Sequence, residues 1–210
     1  MRRSFSVLLA LTCFALCTQS FILTARAADS ADAKTTSPAK TAKGAKSMDG
    51  KIGVNDPSPE IALPDQSGKM VSLKDYVGKK VVVLYFYPKD ETSVCTAEAC
   101  SFRDSYDKFV ELGAEVIGVS SDSVKSHQKF AEKNHLQFSL LADTSGTARK
   151  AFGVPNTGFV LPGRVTYVID KEGVVRYVFN SMLDGAKHSS EAMKIVKDLC
   201  QDKEKPAGAS

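Results

Sequence analysis

The chain has no tryptophan and only three histidines among its 210 residues. Its five cysteines are too few for a disulfide scaffold, and only Cys95, Cys100 and Cys200 lie beyond the first 27 residues. That odd number points to one working pair and one spare thiol. No apolar run reaches the roughly 20 residues of a confident membrane span. Net charge of one sign is also missing. The formal +4 comes from the leader (Arg2, Arg3, Arg26) and from five Lys against three Asp between Ala28 and Lys51. The remainder carries 20 basic against 21 acidic residues, and its aromatics are not interleaved with basic ones. A near-neutral surface gives no electrostatic case for nucleic acid. No internal repeat is present.

What is present divides the chain into four segments. Met1–Ala27 reads as a secretory signal peptide: Arg2-Arg3, an apolar core from Phe5 to Cys17, and an Ala25-Arg26-Ala27 cleavage site. The expectation is export to a periplasm or the outside, with no stable membrane insertion after cleavage; an uncleaved anchor is the alternative. Residues 28–51 form a flexible Ala/Lys-rich linker with almost no large apolar residue. Residues 52–201 hold the domain, and 202–210 a disordered tail.

Within the domain, Pro57–Pro64 and Lys69–Leu73 flank a turn at Asp65-Gln-Ser-Gly68, a short hairpin. Lys79–Tyr87 is a continuous apolar strand, the pattern of a sheet covered on both faces. Ala97–Leu112 reads as one helix with Phe102, Tyr106, Phe109 and Val110 on a single face. A strand at Ala114–Ser120 precedes a helix capped at Asp122-Ser123 and running to about Asn134. Phe138–Leu141 is a short strand and Thr144–Phe152 a short helix. Arg164–Asp170 and Val174–Asn180 form a hairpin, and Ser189–Cys200 a final helix. Strands alternating with helices, then a late hairpin and helix, predict an α/β fold. A thioredoxin-like fold, with a central mixed β-sheet flanked by helices and an added N-terminal β-hairpin, accommodates this order.

The chemistry concentrates at Pro88-Lys-Asp-Glu-Thr92-Ser-Val-Cys95-Thr-Ala-Glu98-Ala-Cys100. Thr92 or Ser93 is a natural N-cap, which puts Cys95 in the first helical turn. Free backbone N–H groups and the positive dipole end favour a thiolate there, and the thiolate is the nucleophile. Five residues of ideal helix separate Cys95 from Cys100 by ~7.5 Å along the axis and ~140° around it. Their Cα atoms are then about 8–9 Å apart, beyond the ~7 Å limit for a disulfide. A bond between them requires the helix to unwind locally. Oxidation of Cys95 to sulfenic acid in the folded helix, followed by condensation with Cys100, suits that order. Two small buried hydrophobes are the plain alternative. Nothing near the pair suggests a metal, since His127 and His135 fall on another helix. His127, His135 and His188 are expected at the surface.

Pro88-x-x-x-Thr92-x-x-Cys95 resembles the active-site motif of peroxiredoxins, thiol peroxidases of the thioredoxin superfold. The C-x4-C spacing resembles their PrxQ, or bacterioferritin-comigratory-protein, branch. The likeness continues through Glu98-Ala-Cys-Ser-Phe-Arg103-Asp, Gly118-Val-Ser-Ser-Asp-Ser123 and Leu161-Pro-Gly-Arg164-Val-Thr-Tyr-Val-Ile-Asp170, and covers essentially Gly53–Leu199. It implies Cys95 as the peroxidatic and Cys100 as the resolving cysteine, joined in an intramolecular disulfide and recycled by a thioredoxin-like donor. Thr92 would hydrogen-bond thiolate and peroxide, Pro88 would shield the pocket, and Arg164 would supply positive charge. Glu98 would hold arginines in place, or serve as an ordinary first-turn acid. The resemblance implies peroxide substrates, no metal, haem or flavin cofactor, and a monomer. Ser93-Val94 departs from the Pro-Gly common in the branch, which bears on local unfolding and the pocket mouth. The competing reading is an exported thiol–disulfide oxidoreductase. It is weakened by the absence of C-x-x-C. A third, a structural disulfide or binding domain, conflicts with the intrahelical spacing.

Overall fold

The computed structural model describes residues 50–157 and 161–201. The leader, most of the linker and the tail lie outside the described residues. In chain order the elements are β1 (Ala62–Pro64), β2 (Met70–Ser72), a 3-10 turn (Leu73–Asp75), β3 (Val81–Phe86), α1 (Ser93–Asp104), α2 (Tyr106–Glu111) and β4 (Ala114–Ser120). Then follow α3 (Val124–Asn134), β5 (Ser139–Ala142), α4 (Thr147–Ala151), β6 (Asn156–Thr157), β7 (Leu161–Pro162), β8 (Val165–Ile169), β9 (Val175–Asn180) and α5 (Gly185–Gln201).

The central sheet runs β5-β4-β3-β8-β9. β3, β4 and β5 are parallel, whereas β8 is antiparallel to β3 and β9 to β8. The expected α/β fold with a mixed sheet is present, and so is the N-terminal hairpin, β1 against β2. Its turn closes through Asp65 N–H to the Lys69 carbonyl, with Gly68 at a φ of 85° that favours glycine.

β3 shows why a continuous apolar run was needed. Side chains alternate between faces of a strand. Val82, Leu84 and Phe86 enter one core with Ile61, Leu73, Phe152 and Tyr167. Val81, Val83, Tyr85 and Tyr87 enter the other with Phe102, Phe109, Phe130, Ala192 and Val196. The first core lies under the N-terminal hairpin and α4, and the second under α1, α2, α3 and α5. Cys95 belongs to the second and is 1% exposed.

Three expectations need correction. The helix expected over Ala97–Leu112 is two: α1 runs from Ser93 to Asp104, and Ser105, its C-cap, is also the N-cap of α2, which starts at Tyr106. Phe102 and Phe109 are fully buried on either side of the break, while Val110 is 44% exposed. The β6–β7 hairpin was not anticipated, because two-residue strands carry no periodicity. His127 and His188 are fully buried rather than at the surface, because each finds hydrogen-bond partners inside; His135 is exposed at the left-handed C-cap of α3.

Among the described residues no helix is long and apolar enough to cross a membrane.

Gly118 in β4 is the register partner of Tyr85, and the Tyr85 ring lies over it. A Cβ there would stand 2.7 Å from the Tyr85 ring and from Leu140 Cδ2. Overpacking of this kind costs about 1–3 kcal/mol. We expect Gly118→Ala to lower the urea-unfolding free energy by that amount; an unchanged midpoint and slope would show that the ring moves aside freely.

Candidate active site

Thr92 is the N-cap of α1 with extended backbone, and Cys95 is the third helical residue. Cys95 thus sits in the first turn, as the sequence requires. The Thr92 hydroxyl makes no capping bond; it donates instead to the Lys89 carbonyl at 3.1 Å. Thr92 is exposed and Pro88 half-buried, both in the loop joining β3 to α1.

Arg164 directly precedes β8, the strand antiparallel to β3, and is 2% exposed. Its Nη2 donates to Cys95 Sγ at 3.1 Å, its Nη1 to Glu98 Oε2, and its Nε to the Met182 carbonyl at 3.3 Å. A buried guanidinium donating to sulfur is the contact a thiolate needs. Glu98, one helical turn after Cys95, is fully buried. Burial pushes its carboxyl up to about 8, against the opposing pull of Arg164. Its second oxygen, Oε1, has no hydrogen-bond partner and lies 3.5 Å from His188 Nδ1.

His188 on α5 is also fully buried, and burial drives it down to about 4. Its Nε2 faces the Ser181 carbonyl at 2.9 Å, so Nδ1 accepts from the Thr166 hydroxyl at 2.7 Å. At neutral pH, Glu98 and His188 therefore meet as two neutral groups and not as an ion pair. The tyrosine of the adjacent strand, Tyr85, has a buried hydroxyl without a partner. Burial, followed by the charges of Glu98, Asp90 and Cys95, raises it well above its ordinary value.

The loop between β3 and α1 is held from outside the motif. Asp90 accepts from Tyr87 Oη at 2.7 Å and Ser126 Oγ at 2.7 Å, and pairs with His127 Nδ1 at 2.9 Å. Burial alone would raise the Asp90 carboxyl, but the bonds from His127, Tyr87 and Ser126 outweigh it and hold it below the usual range. The Asp90 N–H donates to Asp122 at 2.9 Å. Glu91 takes a φ of 63°, unusual for a non-glycine, and pairs with Lys133. Arg149 on α4 donates to the carbonyls of Tyr87 at 2.8 Å and Gly163 at 2.9 Å. It thereby ties the residue before Pro88 to the residue before Arg164. Sequence reasoning missed Arg149, Asp90, His127, His188 and Tyr85. Their only signals are an Arg in a surface-like TARKA helix and histidines whose partners lie on other segments, 7 to 37 residues away.

Cys100 occupies the other side of α1. It is half-buried, and its Sγ faces Asn134 Oδ1 at the end of α3, 4.0 Å away. Cys95, Cys100 and Cys200 are all free thiols. Cys200, at the end of α5, donates to the Leu112 carbonyl at 2.9 Å. An open groove between the first turn of α1 and the start of α5 is lined by Val94, Ala97, Leu183, Gly185 and Lys187, with Leu183 84% exposed. Thus the structure brings Cys95, Glu98 and Arg164 together, adds Pro88 and Thr92 in one adjoining loop, and places Cys100 apart.

The model of the AhpC/TSA family matches residues 54–178. Peroxiredoxin Q, chloroplastic, of Triticum aestivum is 48% identical over 175 residues, 83% of this chain and 80% of its own length. The protein of the same name from Sedum lineare is 50% identical over 71% of this chain and 80% of its own. Among solved structures, Xanthomonas campestris peroxiredoxin Q aligns at a TM-score of 0.63 with 32% identity, covering 67% of this chain and 91% of its own. Mycobacterium tuberculosis peroxidoxin BcpB aligns at 0.66 with 34% identity, covering 70% and 98%. These relatives establish the thioredoxin-like fold.

They also correct the expected export. The similar plant proteins are chloroplastic, which points to plastid targeting and not to a periplasm or secretion. The leader suits either reading: before Asp29 it has three Arg, six Ser or Thr and no acidic residue, the composition of a transit peptide. An apolar core and a small-residue site masked that resemblance. On the family match and the identity to its relatives, the chain belongs to the AhpC/TSA family, in its peroxiredoxin Q branch, and is a thioredoxin-dependent peroxidase.

Proposed function

We propose that the protein reduces hydrogen peroxide and organic hydroperoxides through Cys95, with Cys100 as the resolving thiol, in antioxidant defence. The observation that carries this reading is the Arg164–Cys95 contact of 3.1 Å in a buried first helical turn. The Cys95 thiolate attacks the terminal peroxide oxygen. The S–O bond forms, the O–O bond breaks, the proton of the peroxide goes to the departing alkoxide or hydroxide, and the resulting sulfenate takes up a proton from water to become the sulfenic acid. Arg164 faces the charge that shifts onto oxygen in this step. Pro88 narrows the mouth, and Thr92, after a rotation of its hydroxyl away from Lys89, is in the loop that meets the peroxide.

The Cys95 sulfenic acid then condenses with Cys100, forming the S–S bond and releasing water. A thioredoxin-like dithiol reduces the disulfide. We place the enzyme in a plastid, after its relatives, and take it to act as a monomer. The domain of residues 52–201 suffices for this cycle. An oxidoreductase acting on protein disulfides is not favoured, since neither cysteine has a second cysteine three positions on.

One guanidinium cannot neutralise two buried anions. With the Cys95 thiolate on Nη2, the Glu98 carboxyl keeps a proton at neutral pH, and the proton resides on Oε1, since Oε2 accepts from Arg164. The cation is then left to the sulfur.

Two sets of measurements test these statements. Cys95→Ser should abolish peroxide consumption, while Cys100→Ser should oxidise Cys95 once at near wild-type rate and fail to turn over with thioredoxin; full peroxide reduction by Cys95→Ser would sink the reading. For Glu98, the native state holds a proton that the unfolded chain releases above about pH 4.3. Its contribution to stability is therefore fully present below that value and is lost as pH rises toward about 8. Urea denaturation at pH 5, 6.5 and 8 should show wild type losing stability relative to Glu98→Gln as pH rises. His188 titrates alike in both and cancels. Parallel curves would mean that Glu98 is ionised throughout.

A further inference from the structure

We infer that His188 is a positioning residue for the first chemical step: it anchors the segment whose carbonyl aims Arg164 at Cys95. This rests on Cys95 being the thiol that peroxide oxidises. Three acceptors fix the guanidinium: Cys95 Sγ at 3.1 Å, Glu98 Oε2, and the Met182 carbonyl at 3.3 Å. The first two belong to α1. The third lies in the segment between β9 and α5, where Met182 is half-buried and the next residue, Leu183, is 84% exposed. A carbonyl in so open a segment needs an anchor close by. His188 supplies it: its Nε2 donates to the carbonyl of Ser181, the residue before Met182, at 2.9 Å.

The imidazole is itself immobile. It is fully buried in the first turn of α5, and its Nδ1 accepts from the Thr166 hydroxyl of β8 at 2.7 Å. Thr166 follows Arg164 by two residues, so both project from one face of that stretch. Phe179, the register partner of Thr166 in β9, meets the imidazole edge-on with ring centroids 4.7 Å apart. On the side of α1, Glu98 Oε1 stands 3.5 Å from Nδ1. α5 approaches α1 this closely because it begins at Gly185, where a Cβ would come within 3.1 Å of Glu98 Cβ. One ring therefore meets the strand that carries Arg164, the acid that shares its guanidinium and the segment that caps it. An apolar side chain would fill this core without requiring hydrogen-bond partners. The imidazole adds what an apolar group lacks, a donor aimed at the backbone next to Met182.

The step it serves is the attack of the Cys95 sulfur on the terminal peroxide oxygen. The S–O bond forms, the O–O bond breaks, and the peroxide proton passes to the departing oxygen, leaving a sulfenate and an alcohol or water. His188 touches neither the sulfur nor the peroxide, and it exchanges no proton in the step. It acts on where the charge of Arg164 lies. Without the Nε2 bond, Ser181 and Met182 can move outward, Arg164 Nε loses its acceptor, and the guanidinium turns from the sulfur toward Glu98. Stabilisation by a positioned charge falls steeply with small displacements. Condensation with Cys100 comes later, requires α1 to open, and makes no use of this hold.

The test is rapid-quench mixing with hydrogen peroxide, followed by thiol alkylation and intact mass measurement. Two polar variants separate the two bonds of the ring. An Asn amide sits where Nδ1 lies and can still meet Thr166 but not Ser181, whereas a Gln amide reaches Ser181. His188→Asn should slow Cys95 oxidation by about tenfold, and His188→Gln should stay within about threefold of wild type. Both should form the Cys95–Cys100 disulfide at the wild-type rate once Cys95 is oxidised. In an Arg164→Lys background, which has no Nε–H for Met182, His188→Asn should add less than about twofold, because its effect runs through Arg164. If circular dichroism shows that His188→Asn does not fold, His188→Leu takes its place with the same expected loss. A wild-type oxidation rate in His188→Asn overturns the inference. So does an equal loss in both variants, a loss shared by the disulfide step, or a loss undiminished in Arg164→Lys, each of which marks a purely structural role. Cys95→Ser is the control: if it still consumes peroxide, the proposed function falls and this inference with it, whereas the other failures, with Cys95 still required, leave that function standing.

Discussion

The buried guanidinium of Arg164 is the constraint on which the site depends. A charged side chain that is 2% exposed is costly unless its hydrogen-bond donors are satisfied. Here they are met by Cys95, Glu98 and the Met182 carbonyl. Because Arg164 leads into β8 while Cys95 and Glu98 belong to α1, these contacts fix the helix against the sheet. Removing Glu98 or Cys95 would leave donors unsatisfied in a dry interior. The same ties that we propose prepare the sulfur for reaction therefore also hold the fold together at this corner. Arg149 repeats the device behind it, joining the ends of β3 and the segment before β8 through two backbone carbonyls.

α1 is consequently a helix with two unlike ends. Its first turn is wedged against α5: a Cβ on Gly185 would come within 2.6 Å of the Val94 carbonyl. Toward its C-terminus the holds are hydrogen bonds to neighbouring helices, Arg103 to the Asn134 carbonyl at 2.9 Å among them. Ser101 bonds to the Ala186 carbonyl and accepts from Ser189, Cys100 has one weak contact, and the helix stops at Ser105. A helix already broken one turn past Cys100 can release its turns without dragging Tyr106–Glu111 along. Phe102, fully buried in the aromatic stack with Tyr85 at 4.6 Å, is the main resistance to such unwinding. Local opening of this kind draws on the low-stability end of the structure, where few apolar contacts are lost.

Much of this was legible beforehand, and the reasons are physical. The KKVVVLYFY run could only be a doubly covered strand, and an N-cap residue three places before a cysteine puts that thiol in a first turn. Arg164 was found by resemblance alone, since nothing local in Gly-Arg-Val-Thr predicts that an arginine will be buried. His127 and His188 were misplaced because a histidine's environment is set by its partners. Those of His127 are Asp90, 37 residues away, and the Leu141 carbonyl, and those of His188 are Thr166 and the Ser181 carbonyl. The break at Ser105 was invisible because helical periodicity continues through it. The leader was misjudged because arginines, hydroxyls and an apolar stretch satisfy two targeting readings at once.

The charge count at the centre explains why the first cysteine and not the second is surrounded by buried acids and histidines. Around Cys95 burial pushes the Glu98 carboxyl up to about 8 and drives His188 down to about 4, so the guanidinium of Arg164 is the charged group that we propose serves the sulfur. Around Cys100 the setting is different: the sulfur is half-buried and donates weakly to Asn134 Oδ1 at 4.0 Å, so few ties oppose the movement that we propose brings it to Cys95.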